Sequence, residues 1–145
     1  MTVGIIDWLY RIFDFGLTDF ENTVLHDLTK FLRGRNLEII VNQIKVLNRV
    51  SRIERDEEAI RVCLFQYRWF RRTKVFPERF NFQEVFCLGK LIYEHSGGRI
   101  QVDFHSVKGV LICFDIIAAN EIFEPNLPNY EVSYVPGNFD PNIDW

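Results

Sequence analysis

Asp103 and His105 stand two residues apart in an alternating segment that also holds Ile100, Gln101, Val102 and Phe104. Side chains two apart on a strand leave on the same face, so a carboxylate and an imidazole would project together with Gln101 while the apolar three turn to a core. Such a pair can ligate a metal, or the acid can orient the imidazole as a general base. A metal needs a third ligand that the sequence does not place, and a solvated polar face gives the same alternation. Asp103 and His105 therefore rank low as metal ligands, and the expectation is no metal and no cofactor. Cys113 could join His105 or His95 as a thiolate nucleophile. It lies between Ile112 and Phe114 in an apolar run, whereas a reactive thiol needs an electropositive, partly open setting, so an inert buried thiol is the better reading. Gly-x-Ser-x-Gly, His-Glu-x-x-His, Cys-x-x-Cys and phosphate-cradling glycine loops do not occur in the sequence. No catalytic residues are assigned, and the chain leans away from being an enzyme.

The sharpest feature for binding is Arg68-Trp69-Phe70-Arg71-Arg72-Thr73-Lys74. Guanidinium groups interleaved with rings are the composition of a protein-interface hot spot, and they can also hold phosphates and stack on unpaired bases. The net charge of −3 argues against a dedicated nucleic-acid binder, which would carry a broad basic face, so single-stranded nucleic acid ranks last. After Lys108 the chain has no Lys or Arg while Asp115, Glu121, Glu124, Glu131, Asp140 and Asp144 accumulate. The basic segment and this acidic, aromatic end could attract each other within one chain or between two. The candidate protein-binding residues are Arg68, Trp69, Arg71, Arg72 and Lys74 on one side and Tyr130, Tyr134, Asp140, Asp144 and Trp145 on the other. The competing explanation for the end is a wrap that shields a sheet edge.

The elements that must position these residues can be read in outline. Residues 4–14 carry Ile5, Ile6, Trp8, Leu9, Ile12 and Phe13 at helical spacing. Thr18 and Glu21 match a capping box, which predicts a helix over 19–32 with Phe20, Val24, Leu25, Leu28 and Phe31 on its buried stripe and Gly34 as its stop. A third helix is expected over 37–44 with Asn36 as its cap, passing into a strand over 45–53. The charged stretch 54–58 reads as a reversal and 59–67 as the returning strand, followed by a long exposed loop over 69–81. Residues 82–117 form three apolar segments with polar breaks, the Ser96-Gly97-Gly98 break suiting a tight hairpin. A short helical turn with Ile122 and Phe123 follows, then a last strand over 130–135 at an edge, amid Pro125, Pro128, Pro136 and Pro141.

The predicted fold class is thus α+β: two or three N-terminal helices packed on one face of a single antiparallel β-meander of four to six strands, with an irregular Pro-rich C-terminal segment. One domain over 1–145 is expected, with helices over 1–44, a sheet over 45–117 and a C-terminal wrap over 118–145. A chain of this size can bury roughly 70% of its unfolded surface without disulfides. Asp7, Arg11 and Asp14 interrupt the apolar N-terminal run, so it does not read as a secretory leader, and no window approaches a membrane span. Cys63, Cys87 and Cys113 are odd in number and widely spaced, as expected of thiols in a reducing cytoplasm. The leading functional expectation is a non-catalytic cytoplasmic protein-binding module, with an acidic inhibitor or immunity-like protein as one concrete form. Its partner is another protein or a second copy of itself, and no membrane. The alternative from a different class is a small cone-shaped α+β enzyme or ligand carrier with a pocket between helices and sheet, served by Asp103, His105 or Tyr93.

Overall fold

Thr18 opens the first helix among the described residues, as the sequence predicts for 19–32. Its hydroxyl accepts the Glu21 amide at 3.1 Å and the Glu21 carboxylate accepts the Thr18 amide at 2.9 Å, satisfying two N–H groups that helix geometry leaves without partners. The computed structural model describes residues 16–47, 49–56, 59–68, 71–73, 79–80, 85–95, 98–119 and 130–137. Helix α1 is Asp19–Phe31 and α2 is Gly34–Val46. Gly34 is therefore the first residue of α2 rather than a stop after α1. Its φ of 56° is open to glycine, so the chain turns from one helix straight into the next. Asn36 is buried inside α2 and does not cap it, and helical structure persists to Val46, past the predicted passage into a strand at 45. The predicted helix over 4–14 lies outside the described residues.

Seven strands follow among the described residues: β1 Arg49–Asp56, β2 Ala59–Arg68, β3 Arg71–Thr73, β4 Val85–His95, β5 Gly98–Val107, β6 Val110–Ala119 and β7 Glu131–Pro136. Each pair is antiparallel and the order is β1-β2-β6-β5-β4-β7, with β3 paired to β2 alone off that path. The protein is α+β with an antiparallel sheet. Two features depart from a meander of four to six strands. The β1-β2 hairpin docks on β6, so only β4, β5 and β6 run as a meander, and the chain returns after 119 to add β7 beside β4. β7 is the edge strand expected over 130–135, so the sheet extends past the 117 boundary into the segment assigned to the C-terminal wrap. The predicted loop over 69–81 also contains structure: β3 pairs with β2, and Phe80 is buried with its amide donating to Gly109 O at 2.9 Å.

Alternation decides the two faces. Along β5, Ile100, Val102 and Phe104 are buried while Gln101, Asp103 and His105 are half-exposed. The apolar face joins Leu88, Leu91 and Tyr93 of β4, Val62 of β2 and Phe114 and Ile116 of β6 in one core with Val24, Leu25 and Leu28 of α1 and Ile39 and Ile40 of α2. Polar contacts also tie the helices to the sheet. Glu21 accepts from Arg52 Nε at 2.8 Å and also from its Nη2, while that guanidinium reaches Gly16 O at 3.0 Å. Tyr93 donates its hydroxyl to Asp27 Oδ2 at 2.7 Å. Gln43 donates to Gly109 O at 2.9 Å and accepts the Leu111 amide at 3.0 Å, holding the β5-β6 turn. That turn has Lys108 at φ 52° and Gly109 at φ 78°, the pair of positive angles that a two-residue type I′ hairpin requires. Among the described residues no helix is long and apolar enough to cross a membrane.

Candidate functional site

The pairing registers define two transverse rows on the outer face of the sheet that hold the candidate residues. In the first, Ser51, Cys63, Cys113, His105 and Cys87 stand opposite one another across β1, β2, β6, β5 and β4. In the second, Ile53, Arg61, Asp115, Asp103, Lys90 and Val135 do the same, ending on β7. Directly opposed residues put their side chains on one face with Cβ atoms about 5 Å apart, so each row is a line of neighbours.

Asp103 and His105 do share the outer face, but they do not act on each other. His105 Nε2 faces Asp115 Oδ2 at 3.5 Å, and Asp103 Oδ1 accepts from Gln101 Nε2 at 2.8 Å. Asp115 in turn takes a bidentate pair of bonds from Arg61, Nε to Oδ1 at 2.7 Å and Nη2 to Oδ2 at 2.9 Å. Burial would push the Asp115 carboxyl up, yet the hydrogen bonds and charge of Arg61 outweigh it and hold the group below its ordinary value. The same pairing holds the Arg61 guanidinium above its usual range. Cys113 is 6% exposed, and burial pushes its thiol up to about 11, the opposite of an activated nucleophile. Among the described residues no group of three or more His, Cys, Asp or Glu side chains is placed to hold a metal ion.

A chamber between helices and sheet is not where these groups point. Phe104, Phe114, Leu88, Leu91 and Leu28 are fully buried on the inner side, and Phe104 packs on Phe114 at 5.6 Å between ring centres. Tyr93, the inward polar residue, is 2% exposed and bonded to Asp27, and its hydroxyl is pushed upward by burial and by that carboxylate. A groove of about 270 Å³ lies instead between the two helices, over Leu25, Val41 and Ile44 with His26 and Lys45 at its rim.

Three of the basic candidates, Arg68, Arg71 and Arg72, fall on the paired ends of β2 and β3. Past Phe65, β2 has β3 as its pairing partner, with Gln66 opposite Thr73, Tyr67 opposite Arg72 and Arg68 opposite Arg71. Trp69 and Phe70 fall between the paired arginines in sequence; they and Lys74 lie outside the described residues, as do Asp140, Asp144 and Trp145. Tyr130 and Tyr134 are half-buried and pack against the core. Tyr134 stacks on Phe31 with ring centres 5.5 Å apart and donates to Leu88 O at 2.7 Å, and Tyr130 meets Tyr93 edge-on. Sequence reasoning placed Asp115 in the acidic end of the chain and did not pair it with Arg61. They are 54 residues apart, and only the β2-β6 register puts them opposite. No protein-family model, curated protein or solved structure matches the chain.

Proposed function

We propose that the protein is a non-catalytic protein-binding module of the cytoplasm that engages an acidic partner, or the acidic end of a second copy, through the β2-β3 hairpin. The observation that carries this reading is the register of Arg68 opposite Arg71, with Arg72 next along β3. Like charges directly opposite on a two-stranded ribbon are destabilising, and a ribbon of two strands is marginal in water. A partner bearing carboxylates relieves the repulsion and adds charge-assisted hydrogen bonds, to which guanidinium groups are suited. Trp69 and Phe70 supply the aromatic anchors that such contacts use. The filled inner side of the sheet and the mutual neutralisation of Arg61 and Asp115 speak against the pocket-bearing enzyme, and the net charge of −3 against a nucleic-acid groove.

The test is charge reversal of Arg71 and Arg72 together to Glu, read by association with host proteins and by sedimentation of the chain alone at low and high salt. The double variant loses the interaction, retains its thermal unfolding transition, and the wild-type interaction weakens with added salt. An unchanged set of partners and an unchanged sedimentation profile would remove the basis of the reading.

A further inference from the structure

All three cysteines of the chain lie in one transverse row on the outer face of the sheet, and two of them are immediate neighbours. Cys63 and Cys113 are directly opposed on β2 and β6, one row along from the opposed Arg61 and Asp115. The four make a two-by-two block in which a dithiol abuts a bidentate ion pair. We propose that Cys63 and Cys113 form a two-thiolate site for a soft monovalent d10 cation of the Cu(I) class.

The spacing fits two-coordinate binding. Opposed Cβ atoms in an antiparallel pair are about 5 Å apart, so the two sulfurs rise side by side. A linear ion with metal–sulfur bonds of about 2.3 Å, the length thiolates make to zinc, spans about 4.6 Å between sulfurs. The surroundings set the ion's class by what they withhold. His105 stands opposite Cys113, but its Nε2 is turned to Asp115, and both Asp115 oxygens are held by Arg61. Two soft donors, with no third or fourth ligand offered among the described residues, suit Cu(I) or Ag(I) and do not satisfy tetrahedral zinc. Arg61 lies two residues from Cys63 on the same face, with its guanidinium paired to Asp115. Cys63 is half-buried and Ser51, next in the row, is exposed, which gives an approach from the β1 side. Each cysteine releases its S–H proton to solvent as its metal–sulfur bond forms, and no electrons are transferred. Because each thiol must lose its proton as the metal binds, uptake tightens as pH rises. The site is independent of the arginine hairpin.

The experiment is an anaerobic titration of the reduced full chain against Cu(I) held by bicinchoninate, read by loss of the chelator's colour, with thermal unfolding confirming that each variant is folded. Wild type withdraws one Cu(I) per chain, more strongly at pH 8 than at pH 6.5. Cys63→Ser, at the half-buried position, weakens withdrawal at least tenfold. Cys113→Ala does the same, and Cys87→Ser competes as wild type does. A wild-type chain that leaves the chelator loaded overturns the proposal, as does a Cys63→Ser chain that competes equally well or a Cys87→Ser chain that loses as much as the other two.

Discussion

Single polar side chains tie the strands and helices together through definite partners. Asp115 is depressed in the folded protein, so its ionised form contributes stability that is complete above the unfolded carboxyl value, about 4, and is lost as pH falls through the folded value. Asp115→Asn should therefore flatten this stretch of the acid limb: the gap in denaturation midpoint between wild type and variant, clear at pH 7, narrows toward pH 3. A gap that stays constant with pH would show that the Arg61 pairing does not act through charge. Tyr93→Phe deletes the hydroxyl that donates to buried Asp27 and leaves one carboxylate oxygen without that bond, at a cost of about 1–3 kcal/mol in chemical denaturation. Little of this pairing is legible in the sequence. Alternation puts Asp103 and His105 on the outer face, because a period of two is a local property of the chain. The partner of His105 is not legible, because it depends on a register shift between His105 and Ser106 and on pairing with a later strand.

Elements are more readable than their junctions. The Thr18 and Glu21 capping box locates the start of α1 because it is a local hydrogen-bonding device. The end of α1 is read to within a residue, but Gly34, taken as its stop, here opens α2 three residues before the expected start at 37. β7 is foreseen as an edge strand, but what fixes it to β4 is not. Gly89 sits at φ 144° beside a bulge, and a Cβ there would lie 2.5 Å from the Tyr134 ring that covers it. Gly89→Ala should cost about 1–3 kcal/mol or more, from a strained backbone and a displaced ring, and should raise amide exchange along β7 selectively. A neutral effect would mean that Tyr134 does not seat on this glycine. Gln43→Leu tests the tie between α2 and the β5-β6 turn. Gly109 O keeps the Phe80 amide, but the Leu111 amide loses its acceptor, so about 1–3 kcal/mol is expected together with faster exchange at Leu111.

For the whole molecule, the distribution of charge carries the proposed function. The sequence holds basic residues between 61 and 80 and acidic ones after 108, and folding uses some of each in Arg61 with Asp115. Arg68 and Arg71 of the β2-β3 hairpin are instead register partners of each other. A short pairing of three residues cannot be read from composition, because like-charged residues in register run against strand preference and mimic a loop. The measurement that addresses the central claim most directly is quantitative capture from host extract, with a labelled copy of the chain added, on immobilised wild type and on the Arg71→Glu, Arg72→Glu protein. Wild type should retain an acidic protein or the labelled copy in a salt-sensitive manner, and the double variant should lose it by tenfold or more. Equal retention by the two baits, with both folded, would contradict the assignment of binding to the hairpin.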